Sequence, residues 1–343
     1  MNIVIFGACE FIWSRSFVIH MKKFGAKVAT FSYPFASCFS HIYNLEKQEN
    51  SKIIEQADLI IFSPGRDIHS KAICEYSWLY QKLHSLNKKI LVILWHHRYK
   101  NNTIHRQYCF YYGFNFIDLY QYCTEKKILK FYTSYPDFRH PLSFIMEQIA
   151  SSIMNNLDNF LFPLYKKIQY HEYPVFQICY PKDMFENLEV KCVKIRNHLY
   201  YQNIYKIDSN QELFFSEKYK NYILAGIHNW NERVILLKEK DRPKICIKNK
   251  KQVIAKKLLP WENFSSLFLN NFIIDDNTTI CIDENSKINS IGLISFLLVK
   301  NTKIKQLQNL NSAFNYQYNF NNIIPPLEFY KNIIEEYNGR KKN

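Results

Sequence analysis

In the first half of this chain, short β-branched and aromatic runs alternate with longer stretches of helical periodicity. The runs that read as buried strands are Asn2–Phe6, Lys27–Ser32, Asp58–Phe62, Lys89–Trp95 and Asn115–Leu119. Two of the helical stretches between them end at Gly25 and Gly113, a residue type common just after a helix. This β-α-β-α order predicts a doubly wound parallel sheet, with flavodoxin-like layering of helices on both faces.

The second half has a different pattern of apolar residues. Its apolar runs are short, many of them alternate, and Asn, Asp, Lys or Pro separate them, which is typical of a β-sandwich. A helix over Leu327–Tyr337, after Pro325-Pro326, is expected to close this part. With 343 residues the chain is long enough for two domains. We expect residues 1–158 to form an α/β domain and residues 159–343 to form a β-sandwich-like domain with a closing C-terminal helix.

Composition excludes several classes of protein. The net charge is +15, but the lysines are dispersed and no nucleic-acid motif occurs, so a nucleic-acid partner is not expected. None of the nine cysteines lies in a C-x-x-C, which argues against a disulfide framework and a zinc module. The chain opens directly on a strand and has no run of about 18 apolar residues. Neither a signal peptide nor a membrane span is expected, and the predicted location is cytoplasmic.

Ligands of such sheets bind beyond the carboxyl ends of the strands, so the residues that follow the predicted strands are the candidate site residues. In chain order they are Cys9, Ala36, Ser37, Gly65, Arg66, His96, His97, and the pair Asp137 and His140 before the last helix of this half. In a turn that enters a helix, Asp-x-x-His places both side chains on the same side. The carboxylate of Asp137 can then orient the imidazole of His140, whose other nitrogen faces a nucleophile on the first loop.

The first half resembles the SGNH (GDSL-type) hydrolases over roughly residues 1–157. The resemblance is carried by Gly7-Ala8-Cys9 after the first strand and by Asp137-x-x-His140 before the helix that follows Pro141. It implies an esterase or O-acyltransferase that acts on an acylated carbohydrate, a sugar or polysaccharide, without a cofactor. Cys9, in the place of the family's serine, would attack, with His140 as the general base and Asp137 orienting it.

The resemblance also implies an oxyanion site. The donors would be the backbone at Cys9, the backbone at Ala36 or Ser37, and the loop at Gly65 and Arg66. Arg66 stands where the family has asparagine, and an arginine can stabilise an oxyanion or bind another anionic group.

Other readings of these residues stay open. Cys9 can equally be a buried structural cysteine, in which case the module would be inactive and would bind a glycan or an anionic ligand. Arg66 can form a surface ion pair with Asp67 or Glu10. His96 and His97 lack a visible third ligand, so no metal is expected. In the second half, Trp230 is the best candidate for stacking on a sugar, although core packing is favoured.

Overall fold

The computed structural model describes residues 1–13, 16–64, 73–95, 99–129, 140–164, 172–184, 191–196, 201–231, 242–286, 288–300 and 316–340. The chain divides into a first unit, Met1–His171 with Ile304–Asn343, and a second unit, Glu172–Lys303. This division differs from the boundary expected between residues 158 and 159, because the C-terminal segment packs with the first unit.

The first unit is built on a five-stranded parallel sheet. Its strands are β1 (Asn2–Gly7), β2 (Lys27–Ser32), β3 (Leu59–Phe62), β4 (Lys89–Leu94) and β5 (Asn115–Asp118). They lie in the order β2-β1-β3-β4-β5, and every neighbouring pair is parallel. β3 is apolar throughout and buried throughout, as expected of a strand covered on both faces. The predicted α/β class with a parallel sheet is confirmed.

Helices cover both faces of this sheet. They are α1 (Cys9–Trp13), α2 (Ser16–Lys23), α3 (Cys38–Glu46), α4 (Gln48–Glu55), α5 (Ile73–Ser85), α6 (Tyr99–Tyr112), α7 (Leu119–Glu125), α8 (Ser143–Asn155) and α9 (Lys331–Arg340). On one face Ile61 shares a core with Ile149 of α8. On the other, the ring of Phe62 contacts His41 of α3 and Tyr80 of α5. None of the helices in the described part of the chain is both long and apolar enough to cross a membrane.

The C-terminal segment completes the first unit. Asn319 forms a parallel bridge with Phe116 of β5, and the Phe320 N–H donates to the Phe116 carbonyl at 2.9 Å. The rings of Phe320 and Phe160 lie 4.9 Å apart, and Ile323 belongs to the same core. The segment that ends in α9 therefore extends the α/β unit, whereas the sequence predicts that it closes the β domain.

The second unit consists of antiparallel sheets. Its strands are β6 (Val175–Cys179), β7 (Lys191–Arg196), β8 (Tyr201–Asp208), β9 (Glu212–Phe214), β10 (Ile223–Asn231), β11 (Lys244–Lys248), β12 (Val253–Lys257), β13 (Trp261–Ser266), β14 (Thr279–Ile282) and β15 (Ser290–Lys300). One sheet runs β13-β10-β15-β8-β7, with β6 also paired to β15, and the other runs β12-β11-β14-β9. Ile245 and Ile280 of the smaller sheet share one core with Ile227 and Phe296 of the larger. The expected β-rich second half is confirmed.

Candidate functional site

The strand order of the parallel sheet creates a crevice. From β1 the chain passes to β2 on one side, and from β3 it passes to β4 on the other. The connecting helices α2 and α5 pack on opposite faces of the sheet. The helices that follow β1 and β3 therefore lie on opposite faces, and the carboxyl edge between these two strands is where ligands of open α/β sheets bind. We call it the crevice.

Cys9 borders the crevice, two positions beyond the last residue of β1. It is the first residue of α1 and is 7% exposed. A side chain at Gly7 would place a Cβ 2.1 Å from Cδ2 of Phe11, so only glycine lets the Phe11 ring pack against the end of β1. Glu10, the next residue, is fully buried. The tight packing of Phe11 thus determines where the chain turns and where Cys9 is presented.

The ends of β3 and β4 are joined by a hydrogen bond that sequence reasoning did not find. Nε1 of Trp95 donates to Oγ of Ser63 at 2.8 Å, and the Ser63 N–H donates to the Phe6 carbonyl at 2.8 Å. Both side chains are fully buried. The rings of Trp95 and Phe11 pack in a T-shaped arrangement, with their centroids 5.8 Å apart. These two hydrogen bonds therefore connect β1, β3 and β4 at the base of the crevice. The only sequence signal for this contact is the presence of a serine and a tryptophan at two strand ends.

The backbone N–H groups of Ala36 and Ser37 have local acceptors. The Ala36 N–H donates to the Tyr33 carbonyl at 3.3 Å, closing a turn. The Ser37 N–H donates to Oγ of Ser40 at 2.8 Å, and Oγ of Ser37 accepts from the Ser40 N–H, which makes a capping box for α3. In this arrangement both groups serve the entry into α3. The expected use of either N–H as an oxyanion donor would require these bonds to break.

The direction of α8 brings His140 toward the same edge as Cys9. Leu161 exchanges two hydrogen bonds with the side chain of Asn115, at 2.8 and 2.9 Å, and Nζ of Lys89 donates to the Leu157 carbonyl at 3.4 Å. Asn115 and Lys89 begin β5 and β4, so the chain leaves α8 at the amino edge of the sheet. A helix of 13 residues is about 20 Å long and spans the sheet. Its first turn, which His140 precedes, therefore lies at the carboxyl edge.

Several predicted site residues lie outside the described residues, namely Gly65, Arg66, His96, His97 and Asp137. Their roles stay predictions from the sequence. Among the residues that are described, no group of three or more His, Cys, Asp or Glu side chains is arranged to hold a metal ion.

Two other cysteines of the first unit have environments that suppress reactivity. Cys109 and Cys123 are fully buried. Burial raises the pKa of the Cys109 thiol well above its usual range and raises the pKa of Cys123 to about 12. Because the thiolate is the nucleophile, both remain unreactive thiols near neutral pH. Cys109 belongs to α6 and Cys123 to α7, whereas Cys9 directly follows β1.

The tryptophan singled out in the second half is a core residue. Trp230 is 3% exposed and packs with Ile204 and Ile294. A stacking platform must present its ring to the ligand. The contact with a sugar considered for Trp230 is therefore excluded in this arrangement.

Comparisons with known proteins give partial overlaps. No family model matches the chain, and no curated protein matches it. Among solved structures, a proposed SGNH hydrolase from Slackia heliotrinireducens overlaps at a TM-score of 0.37 and 10% identity, over 45% of this chain and 97% of that one. Translation elongation factor SelB from Methanococcus maripaludis, in its apo form, overlaps at a TM-score of 0.21 and 11% identity, over 91% of this chain and 80% of that one. Overlaps at this level do not assign the chain to a family.

Proposed function

We propose that the first unit is a thiol-dependent acyl-transfer enzyme, an esterase or O-acyltransferase, with Cys9 as the nucleophile. The observation that carries the proposal is the position of Cys9 directly beyond β1, at the point where the strand order diverges. Support also comes from α8, whose direction delivers His140 to the same edge. The proposal places the reaction in the cytoplasm, where thiols stay reduced.

The reaction would run in two steps. His140 accepts the thiol proton, and the Cys9 sulfur attacks the acyl carbonyl to form a thioester, which releases the first alcohol with that proton. Water or an acceptor hydroxyl, activated by His140, then attacks the thioester and regenerates the thiol. Asp137 would hold the His140 ring in the required tautomer.

The developing oxyanion needs donors. Because the N–H groups of Ala36 and Ser37 are engaged at α3, the proposal assigns this role to the backbone at Cys9 and to the loop that contains Gly65 and Arg66. For the substrate we propose an acylated sugar or polysaccharide, which follows from the resemblance noted in the sequence.

The proposal is tested by hydrolysis of an aryl acetate with the purified full chain. We expect turnover in the wild type, at least a hundredfold loss in Cys9→Ala and His140→Ala, and retained turnover in Cys9→Ser, because an oxygen nucleophile suits the same site. Mass spectrometry of the reaction should show an acetyl group on the peptide that contains Cys9.

Matched controls separate the nucleophile from general thiol reactivity. Cys123→Ala removes a buried thiol of the same unit, and Cys192→Ala removes an exposed one. Both should keep wild-type turnover. Equal activity in Cys9→Ala and the wild type, or acetylation on another cysteine, would contradict the assignment.

A binding module that uses the same crevice is the second candidate. The engagement of the Ala36 and Ser37 N–H groups favours it, since a site without its second oxyanion donor can bind a ligand without turning it over. It predicts no turnover in any variant, including Cys9→Ser. It also predicts saturable binding of an acetylated oligosaccharide, measured by calorimetry, which a bulky substitution such as Cys9→Trp weakens.

A further inference from the structure

Two cysteines of the second unit face each other across neighbouring strands. In the antiparallel pair of β11 and β14, Cys246 is directly opposite Cys281. Their neighbours Ile245 and Ile280 point into the shared core, so both cysteines project from the outer face of the smaller sheet. Each is partly exposed.

The geometry of the ladder suits a covalent bond between them. Directly opposed residues of an antiparallel pair have Cα atoms about 4.5 or about 5.5 Å apart, depending on the type of pair. Both separations fall inside the range of roughly 4.4–6.8 Å that a disulfide spans. The two thiols are close enough to influence each other, because Cys246 contributes to the raised pKa of Cys281. Joining Cys246 to Cys281 therefore requires rotation of side chains only.

An ion pair crosses the same surface. Nζ of Lys248 on β11 lies 2.6 Å from Oε1 of Glu212 on β9, and these strands flank β14. Glu212 is the direct partner of Cys281 on that side. Burial raises the pKa of Cys281, Cys246 and Glu212 add to the rise, and the cation of Lys248 opposes it. The raised pKa keeps Cys281 mainly as a thiol near neutral pH, so exchange proceeds through its thiolate fraction at a partly exposed position, where the nearby cation of Lys248 partly stabilises that thiolate.

We infer that Cys246 and Cys281 form a redox-active dithiol that reduces a small-molecule disulfide and becomes a cross-strand disulfide. The first thiolate attacks one sulfur of the small disulfide, breaks its S–S bond and releases one small thiol. The second thiolate then attacks the mixed disulfide, forms the Cys246–Cys281 bond and releases the other small thiol. The two thiol protons pass to the released thiolates, so the protein loses two electrons and the small disulfide gains them.

This site is independent of the proposed acyl transfer, because Cys9 belongs to the other unit. It also differs from the remaining cysteines that are described. Cys192 is exposed but its cross-strand partner is Tyr205, and Cys9, Cys38, Cys109, Cys123 and Cys179 are buried.

The test treats the full chain, under native conditions, with a slight excess of 4,4′-dithiodipyridine. In the wild type we expect the peptides that contain Cys246 and Cys281 to be recovered as one linked pair without a pyridyl label. Thiopyridone release from this pair should be twice that expected for a single labelled thiol. Dithiothreitol should restore both free thiols, and oxidation should raise the midpoint of thermal unfolding by roughly 5–10 °C, since the bond joins two central strands.

Three single variants give the controls. In Cys246→Ser the pyridyl label should stay on Cys281, and in Cys281→Ser it should stay on Cys246. In Cys192→Ser, which removes a thiol without a partner cysteine in the ladder, the linked pair should form as in the wild type. Separate labels on Cys246 and Cys281 in the wild type would overturn the inference, and so would two unreacted thiols under conditions that label Cys192.

Discussion

Asp118 shows how a buried carboxylate is held at the end of a strand of this protein. It is fully buried, caps α7 by accepting from the Gln121 N–H at 2.9 Å, and accepts from Nη1 of Arg106 at 2.7 Å. Burial raises the pKa of Asp118, and the bonds from Gln121 and Arg106 only partly oppose this. The folded protein therefore binds the Asp118 proton more tightly than the unfolded chain. Stability from this group is full at low pH and falls as pH rises through the raised pKa.

Replacing Arg106 should lower the free energy of unfolding, because the buried carboxylate of Asp118 would lose its cation. Arg106→Met leaves Asp118 buried without its cation, and we expect a loss of about 2 kcal/mol in the free energy of unfolding near neutral pH, between the values for exposed and buried pairs. Urea unfolding at several pH values measures it, and the loss should shrink as the pH is lowered through the raised pKa and Asp118 takes up its proton. Arg106→Lys, which keeps the charge, should lose less. An equal loss in both variants, or none, would contradict the role of the charge.

Single residues of the site were predictable to the extent that strand ends are visible in the sequence. Cys9 and His140 could be placed at one edge because β1 and α8 have clear apolar patterns. The bond from Trp95 to Ser63 could not be predicted, since it depends on the register of two strands and on side-chain rotamers. The pairing of Cys246 with Cys281 depends on the register of strands far apart in the sequence, which composition and spacing do not encode.

Among the elements, the parallel strands were predictable and α3 was not. The strands are continuous apolar runs, for which burial on both faces is the simplest explanation. Helix α3 contains Phe39, Ile42 and Tyr43, residue types with modest helix propensity. It forms because almost every side chain along it is buried against the unit, and because Ser37 and Ser40 cap its start. Tertiary packing thus outweighs local preference at this element.

Two helices end in the same way but in different surroundings. Gly25 follows α2 and has φ +83°, while Gly113 follows α6 and has φ +66°. A Cβ at Gly25 would meet no atom within 4 Å. A Cβ at Gly113 would lie 2.7 Å from the backbone nitrogen of Leu164. The first position therefore requires glycine for its backbone conformation alone, and the second also for space.

These two glycines form a matched pair for mutation. Gly25→Ala should cost about 1 kcal/mol in the free energy of unfolding, because alanine is strained at positive φ. Gly113→Ala should cost about 3 kcal/mol, since a steric clash with Leu164 adds to the same strain. Denaturant unfolding of both variants provides the comparison. Equal losses would mean that the chain around Leu164 moves aside without cost.

On the scale of the whole molecule, the first unit is built from both ends of the chain. Its core includes Phe320, Ile323 and Leu327, and Tyr122 of α7 donates from its hydroxyl to the Pro325 carbonyl at 3.0 Å. Lys126 pairs with Glu328 at 2.9 Å. The sequence could not reveal this packing, because the apolar pattern of the C-terminal segment does not indicate which of the two units it covers.

Truncation of the C-terminal segment tests how much its packing stabilises the first unit. Removal of residues 316–343 takes several large apolar side chains from the core and leaves the outer side of β5 without Asn319. At about 2 kcal/mol for each such side chain, the loss should exceed about 5 kcal/mol and unfold the first unit. A chain that ends at Tyr330 keeps Phe320, Ile323 and Leu327 and should lose far less. Hydrogen exchange should show lost protection in β1 and β3 but not in β10 or β15, and preserved protection in β1 would contradict the prediction.

The parallel bridge between Phe116 and Asn319 also has a consequence for biosynthesis. The ribosome makes β5 early and Asn319 only after the complete second unit, roughly 10–40 s later at ordinary rates of translation. During that interval the nascent chain exposes the outer side of β5, an unpaired strand edge of the kind that seeds aggregation. Chaperone demand should therefore peak while the second unit is being translated, and a pause in that stretch of the message should lower the yield of folded protein.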